Sequence, residues 1–155
     1  MVTAQNKTEL TARSFMSNAY WELRLRVGRN TIKRTLNATT AEFPVKSKAD
    51  GWKYWQHGGD IYGEKAVIYD ALKRIKPSDT FWDVGSADGG YSAFLGQRCA
   101  NVVAFEPSSD RIDRLRETLE MNGVEGTIRQ HALGSCDGFV RLNEDMSITY
   151  TSESQ

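Results

Sequence analysis

The stretch FWDVGSADGG at residues 81–90 limits what this chain can fold into more than any other segment does. Residues suited to a buried strand lead into the acid Asp83, and a loop of small residues follows. Glycine lowers the stability of regular structure, so a cluster of glycines here needs a local reason. Either the loop is a plain tight turn between a strand and a helix, or its backbone lies against a ligand.

The hydrophobic pattern from residue 64 onward alternates between helix and strand. Apolar residues at helical spacing predict helices, and short β-branched apolar runs predict buried strands. In chain order the pattern predicts a helix from residue 64 that Pro77 ends, a strand at 80–84, a helix at 91–98, a strand at 101–106, a helix at 108–123 and a strand at 126–133. This alternation predicts βαβ units, and therefore an α/β fold in which helices flank a parallel sheet.

The N-terminal part differs in character, and we place a boundary between a leader at 1–60 and the α/β domain at 61–155. Residues 8–37 lack proline and carry apolar residues roughly along one side, which predicts a helix. Residues 38–62 mix turn residues with aromatic ones and are predicted to be irregular. Residues 1–50 contain nine Lys or Arg against four Asp or Glu, so the leader is basic.

A basic leader could meet nucleic acid, a membrane surface or an acidic partner. Its aromatic side chains cluster with apolar residues and not with arginines, whereas an arm for nucleic acid needs stacking aromatics among dense positive charge. We therefore expect no nucleic acid partner, and a leader that packs on the acidic remainder of its own chain.

The composition is typical of a soluble globular protein, since 39% of the 155 residues are hydrophobic. No apolar run approaches the roughly 20 residues that a membrane span needs, and the start has no segment of the signal-peptide kind. Cys99 and Cys136 lie far apart and suit reduced thiols, which predicts a cytoplasmic protein. With only His57 and His131 in the chain, we expect no histidine-rich metal site.

The glycine loop lies where open parallel sheets bind ligands, beyond the carboxyl end of a strand. Gly85 and Gly89 would let the chain turn and let a ligand approach without a Cβ in the way. Glu106 ends the next strand, 21 residues after Gly85. A carboxylate there can accept hydrogen bonds from the two vicinal hydroxyls of a ribose, so loop and acid together indicate a nucleoside cofactor.

The loop departs from the dinucleotide pattern G-x-G-x-x-G, because Ala87 stands at the second glycine position, where a pyrophosphate must approach closely. No G-x-x-x-x-G-K-[ST] occurs either. Asp83 would repel a pyrophosphate but suits a cofactor with a cationic end. S-adenosylmethionine has an ammonium group, a sulfonium and a ribose and no phosphate, and it is chemically consistent with Asp83 and Glu106.

Three motifs together carry a resemblance to a known family. DVGSADGGYS, then VVAFEPSSDRIDRLRETLEMNG, then HALG resemble the FkbM family of class I S-adenosylmethionine-dependent methyltransferases over residues 60–145. The likeness lies in D-V-G-x-x-x-G with Y-S after it, in V-x-A-F-E-P and in A-L-G. It implies a Rossmann-like parallel sheet with flanking helices.

The resemblance also implies roles for single residues. The methionine part of the cofactor would be lined by Asp83, Gly85, Ser86 and Gly89. Ala87 belongs to the same loop but departs from the family, which usually has asparagine there, so a side-chain hydrogen bond is lost.

The remaining implied contacts concern the nucleoside. Glu106 would bind the ribose, and Pro107 would lie beside the adenine. Ala132 and Leu133 would lie near the adenine edge. The resemblance assigns no catalytic residue and no metal ligand.

The family has a seven-stranded sheet whose fourth strand ends in D-x-E-G-x-E, and nothing like it follows Leu133. The sheet is therefore expected to be truncated after its third strand, with its first strand at an open edge. Residues 138–151 could form a hairpin. Either the chain is a fragment of a longer enzyme, or it is a naturally short relative, or a second chain covers the open edge.

The resemblance implies methyl transfer to an oxygen of a small-molecule or glycan acceptor, such as a sugar or natural-product hydroxyl. The first alternative is a non-catalytic shortened relative that acts as a cofactor- or partner-binding module. A nicotinamide-dependent oxidoreductase is disfavoured by Ala87 and Asp83.

Overall fold

The computed structural model describes residues 18–28, 30–51, 64–135, 138–143 and 148–150. The chain divides into two compact units, residues 1–69 and 70–155. The boundary predicted between residues 60 and 61 lies outside the described residues, as does the predicted helix over 8–17.

The first unit contains a β-hairpin where the sequence predicted a helix. Residues 18–26 are helical, but β1 (Thr31–Leu36) and β2 (Thr39–Pro44) form an antiparallel pair in which Thr31 lies opposite Pro44. The helix prediction is therefore wrong over 31–36, and the prediction of irregular structure is wrong over 39–44. Residues 48–51 are again helical.

The hairpin forms because its turn residues and its strand residues both favour this structure. Asn37 and Ala38 both have positive φ, 45° and 59°, which is the backbone of the two-residue turns that match the twist of paired strands. β-branched residues are frequent in β1, and these favour extended backbone. The hydroxyls of Thr35 and Thr40 lie 2.9 Å apart across the strands and add a side-chain hydrogen bond.

The second unit is the α/β domain that the sequence predicted. Its sheet has the order β3–β4–β5, with all strands parallel: β3 (Thr80–Val84), β4 (Asn101–Phe105) and β5 (Gly126–Arg129). The helices are α1 (Lys65–Arg74), which contains the division between the units, α2 (Gly90–Leu95) and α3 (Ser109–Met121). The third strand is shorter than predicted, because residues 130–133 leave the sheet.

The core of this unit lies between the sheet and α3. Val102 and Ala104 of β4 pack with Leu115 and Leu119 of α3, and all four are buried. Val124 completes the cluster from the turn that leads to β5. The apolar side chains of α2 are buried as well, so α2 and α3 both have a fixed position relative to the strand ends.

The predicted open edge is confirmed for the described strands, in which β3 pairs only with β4. Trp82 is 61% exposed and Val84 59% exposed, although both are apolar. The Trp82 ring lies 5.5 Å from that of Phe105 on the neighbouring strand. The predicted C-terminal hairpin is also confirmed, since β6 (Val140–Leu142) and β7 (Ile148–Tyr150) form an antiparallel pair.

Among the described residues, no helix combines the length and the apolar character that crossing a bilayer requires.

Candidate functional site

The loop after β3 is bound to the end of β4 by hydrogen bonds. The N–H groups of Gly85 and Ser86 both donate to the carbonyl oxygen of Phe105, at 2.9 and 3.0 Å. The Ser86 hydroxyl reaches the same carbonyl at 3.3 Å. Because β3 and β4 are parallel, their carboxyl ends meet at one edge of the sheet, and these bonds join the two predicted halves of the site there.

Glu106 holds two backbone segments together at this edge. Its Oε2 accepts the N–H of Ala87 at 2.8 Å, and its Oε1 accepts the N–H of Ser108 at 2.9 Å. Its own N–H donates to the carbonyl of Arg129 at 3.1 Å. The side chain is only 2% exposed. The carboxylate therefore fixes both the loop and the start of α3, a role that sequence reasoning did not assign to it.

The loop reaches this position through left-handed backbone at three residues. Gly85, Ala87 and Gly89 have φ of 75°, 48° and 82°. A residue with a Cβ in this region costs roughly 1–2 kcal/mol, and asparagine tolerates it better than most. The asparagine that the resemblance leads one to expect at Ala87 would therefore suit the backbone, and the bond to Glu106 offsets part of the cost of alanine there.

The two loop glycines are needed for different reasons. A Cβ at Gly85 would meet no heavy atom of the described residues within 4 Å, so the space that they leave in front of it is open. A Cβ at Gly89 would lie 2.9 Å from Cδ1 of Leu115 and 3.3 Å from Cγ2 of Thr118. Gly89 thus allows the loop to pack on α3, whereas Gly85 leaves its backbone accessible to a ligand.

Asp83 is buried beneath the loop and is held by Ser92 of α2. Its Oδ2 accepts the Ser92 N–H at 3.0 Å and the Ser92 hydroxyl at 2.6 Å. Loss of solvent on burial raises the pKa of Asp83, and the nearby charge of Glu106 raises it further, while the two bonds from Ser92 act in the opposite direction. An ionised Asp83 is consequently in a position where a cation would stabilise it.

Most of the predicted site residues lie together at the carboxyl edge of the sheet. The structure brings the residues at the end of β3 and in the loop after it close to the residue that follows β4. These residues are Asp83, Gly85, Ser86, Ala87, Gly89 and Glu106. Pro107 follows directly in the chain. Ala132 and Leu133 follow β5, which ends at the same edge, but Leu133 is 48% exposed. That any of these residues binds a cofactor stays a prediction.

Sequence reasoning missed three further residues, namely Ser92 and the pair Asp88 and Arg114. Ser92 belongs to the Y-S pair of the resemblance, and that pair is the signal that could have identified it as the partner of Asp83. Asp88 and Arg114 form an ion pair at 3.3 Å, with both side chains mostly buried. This pair connects the loop to α3, and no local pattern in the sequence indicates it.

The arrangement is an α/β domain with a candidate ligand site at the carboxyl edge of its sheet. No family model matches the chain, so membership of the FkbM family stays a prediction. The chain is similar in sequence to the hexuronic acid methyltransferase AglP of Haloferax volcanii, with 35% identity over 112 residues. The match covers 71% of this chain and 44% of AglP, so the chain spans less than half the length of that relative.

Solved structures resemble the chain only distantly. The rRNA methylase of Streptococcus thermophilus superposes with a TM-score of 0.42 at 16% identity, over 44% of this chain and 42% of that one. The tRNA m1G37 methyltransferase of M. jannaschii gives 0.45 at 13% identity, over 70% of this chain and 32% of that one.

Proposed function

We propose that this chain carries the cofactor-binding part of an S-adenosylmethionine-dependent methyltransferase of the FkbM kind, acting in the cytoplasm on a hydroxyl of a sugar acid. The observation that carries the proposal is the 35% identity to a protein named as a hexuronic acid methyltransferase. The acceptor class comes from that name, and transfer to oxygen comes from the resemblance of the sequence motifs.

The residues at the sheet edge fit the proposed cofactor, which supplies a methyl group on a sulfonium when bound. The hydrogen bonds found for Asp83 in the described part of the chain all end on Oδ2, which leaves Oδ1 for an ammonium group. The cation would offset the burial that raises the pKa of this carboxyl. The open space at Gly85 lets the loop backbone approach the ligand.

Glu106 fits a ribose in addition to its structural contacts. A carboxylate has about four lone-pair positions on its two oxygens, and the N–H groups of Ala87 and Ser108 use one on each. Vicinal hydroxyls would use the other two. Because the backbone contacts already fix the carboxylate, little rotational freedom remains to be lost when the ligand binds.

The chain's own residues would contribute by orienting the ligand. Methyl transfer is an in-line displacement, and holding the donor in one geometry supplies much of the rate. The loop is bound to β4 by backbone hydrogen bonds and to α3 by the Asp88–Arg114 ion pair, so its backbone offers a rigid surface for such positioning. The exposed Trp82 and Val84 on the open strand favour a further part of the protein or a second chain that covers this edge.

Calorimetry with separate ligands tests the proposal. We expect S-adenosylmethionine and S-adenosylhomocysteine to bind and NAD to bind much more weakly. Glu106→Gln should weaken binding of S-adenosylmethionine and of S-adenosylhomocysteine about 10- to 100-fold. This loss corresponds to the roughly 1.5–3 kcal/mol of a hydrogen bond to a charged group. Glu125→Gln, at an exposed residue, is the matched control and should leave affinity unchanged. A preference for NAD would overturn the proposal.

The acceptor is tested separately by transfer of a labelled methyl group. Glucuronate and galacturonate are compared with glucose and galactose, which have the same ring hydroxyls without the carboxylate. We expect label in the uronates only, in any longer natural form, and no turnover by this chain alone, which lacks the strands that would complete the acceptor site. Label in the neutral sugars alone would contradict the acceptor class and leave the cofactor assignment intact.

A further inference from the structure

Asp83 at the candidate site has one carboxylate oxygen with two hydrogen bonds and one with none. The Ser92 N–H, at 3.0 Å, and the Ser92 hydroxyl, at 2.6 Å, both donate to Oδ2, and no group of the described residues donates to Oδ1. Oδ1 is nevertheless not among the unpartnered side-chain atoms that these residues bury completely, so it keeps contact with solvent. Oδ2 is therefore bound to the protein, whereas Oδ1 is open to a ligand.

Ser92 determines which of the two oxygens is free. It is fully buried in α2, and its neighbours Ala93 and Phe94 are buried as well, so its position is fixed. The carboxylate cannot exchange its two oxygens without breaking both bonds to Ser92. A separation of 2.6 Å is typical of a hydroxyl that donates to an ionised carboxylate, so this bond also favours the ionised form of Asp83.

The charges around Asp83 favour a cation as the group that meets Oδ1. Burial raises the pKa of Asp83, and the charge of Glu106 raises it further. The two bonds from Ser92 lower this pKa, and no cationic side chain of the described residues is among the causes of the shift. Arg114, which reaches the loop from α3, is paired with Asp88 at 3.3 Å. A cation on the ligand would therefore stabilise the ionised carboxylate.

From the unequal use of the two oxygens we propose that Ser92 is a positioning residue of the cofactor site. By holding Oδ2 it directs Oδ1 towards the ammonium group of the cofactor, and it thereby makes the site prefer ligands that carry this group. The inference rests on the proposed function, because it takes S-adenosylmethionine or S-adenosylhomocysteine as the ligand. Ser92 acts only through Asp83 and touches no reacting atom.

Calorimetry with two ligands tests the inference. S-adenosylhomocysteine carries the ammonium group, whereas its deaminated analogue has a hydrogen atom in place of that group and the same carboxylate, thioether, ribose and adenine. Ser92→Ala should weaken binding of S-adenosylhomocysteine about 10-fold or more, the effect of losing a hydrogen bond to a charged group. Binding of the analogue should change by less than about twofold, because the analogue places no cation at Oδ1 and is not coupled to Ser92.

Three further variants separate positioning from a general effect on folding. Thr118→Val removes another fully buried hydroxyl of the same unit, one with no hydrogen-bond partner in the described part of the chain, and it should leave the affinity for both ligands unchanged. Glu106→Gln should weaken both ligands alike, because both carry the ribose. Ser92→Cys keeps a weak donor, so its affinity for S-adenosylhomocysteine should lie between those of Ser92→Ala and the natural chain. This variant tests the inference if Ser92→Ala fails to fold.

The pH dependence of binding gives a readout that a purely structural role would not change. Asp83 must be ionised to attract the ammonium group, and its pKa is raised by the charge of Glu106 and lowered by the bonds from Ser92. Without the hydroxyl the pKa of Asp83 should rise. The affinity for S-adenosylhomocysteine should therefore reach its plateau at higher pH in Ser92→Ala than in the natural chain, and Thr118→Val should leave the profile in place.

Two results for Ser92→Ala would overturn the inference and leave the proposed function intact. One is an equal loss of affinity for S-adenosylhomocysteine and for the analogue, which would give Ser92 a structural role only. The other is an unchanged affinity and pH profile for S-adenosylhomocysteine. If the natural chain binds neither ligand, the proposed function fails, and the inference fails with it.

Discussion

Removing the carboxylate of Glu106 should destabilise the second unit even without a ligand. Each of its two bonds to backbone N–H groups is a hydrogen bond to a charged acceptor, for which the usual contribution is roughly 1.5–3 kcal/mol. Both donors belong to half-buried residues, so water can reach them after truncation and the lower end applies. Glu106→Ala should therefore lower the free energy of unfolding by about 3 kcal/mol.

Glu106→Gln provides an intermediate case. An amide keeps one acceptor oxygen and places an NH2 group where the second oxygen was, so one of the N–H groups of Ala87 and Ser108 would face another donor. We expect a loss of about 1.5–2.5 kcal/mol, which is smaller than that of Glu106→Ala. Glu125→Ala, at an exposed residue, should change stability by less than about 0.5 kcal/mol.

Urea denaturation followed by circular dichroism measures these differences, and amide hydrogen exchange locates them. In both Glu106 variants the exchange rates of the Ala87 and Ser108 amides should rise more than those of the β4 amides. If Glu106→Ala stays within 0.5 kcal/mol of the natural chain, with both amides unchanged, Glu106 does not hold these segments together.

Four more changes probe the same edge. Gly85→Ala should lower the free energy of unfolding by about 1–2 kcal/mol, because residue 85 has left-handed backbone. Gly89→Ala should lower it by about 1 kcal/mol more, because the added Cβ would also press on Leu115. Equal losses for the two variants in thermal unfolding would contradict this. Ser92→Ala removes the hydroxyl bond to Asp83 and should cost roughly 1.5–3 kcal/mol in urea titrations at neutral pH, whereas a loss below 0.5 kcal/mol would refute it. Burial raises the pKa of Asp83, so the stability this carboxyl contributes is present at low pH and lost as the pH rises through its folded pKa. Asp83→Asn should accordingly gain stability relative to the natural chain as the pH rises from the ordinary value of 3.8, and a pH-independent difference would contradict that sign.

The second unit could be predicted from the sequence because its signals are local. Apolar spacing defines α1 and α3, and the β-branched run of β4 differs clearly from both. The hairpin of the first unit could not. Ile32 and Leu36 are four apart, which fits a helix, and the turn uses Asn37 with Ala38 instead of the Asn-Gly pair that marks such turns most strongly.

The sequence predicted which residues form the candidate site, but it did not predict the hydrogen bonds between them. The glycine loop and Glu106 are visible as motifs, but the bond between Glu106 and Ala87 depends on the parallel register of β3 and β4. The bond between Asp83 and Ser92 depends likewise on where α2 starts. Contacts of this kind join segments through the fold, and a single sequence contains no periodic signal for them.

The two buried carboxylates at the sheet edge determine which charge a ligand can carry there. The charge of Glu106 is one cause of the raised pKa of Asp83, so the two groups already repel each other. Arg114, the cation bound to the loop, is paired with Asp88. An ammonium or sulfonium group would favour the ionised form of Asp83, and its affinity should rise with pH through the pKa of that carboxyl. A pyrophosphate would favour the protonated form, so its affinity should fall over the same range. Calorimetric titrations of S-adenosylhomocysteine and NAD across this pH range should therefore give opposite slopes, and Asp83→Asn should remove both. Parallel slopes for the two ligands would mean that Asp83 does not face the bound cofactor.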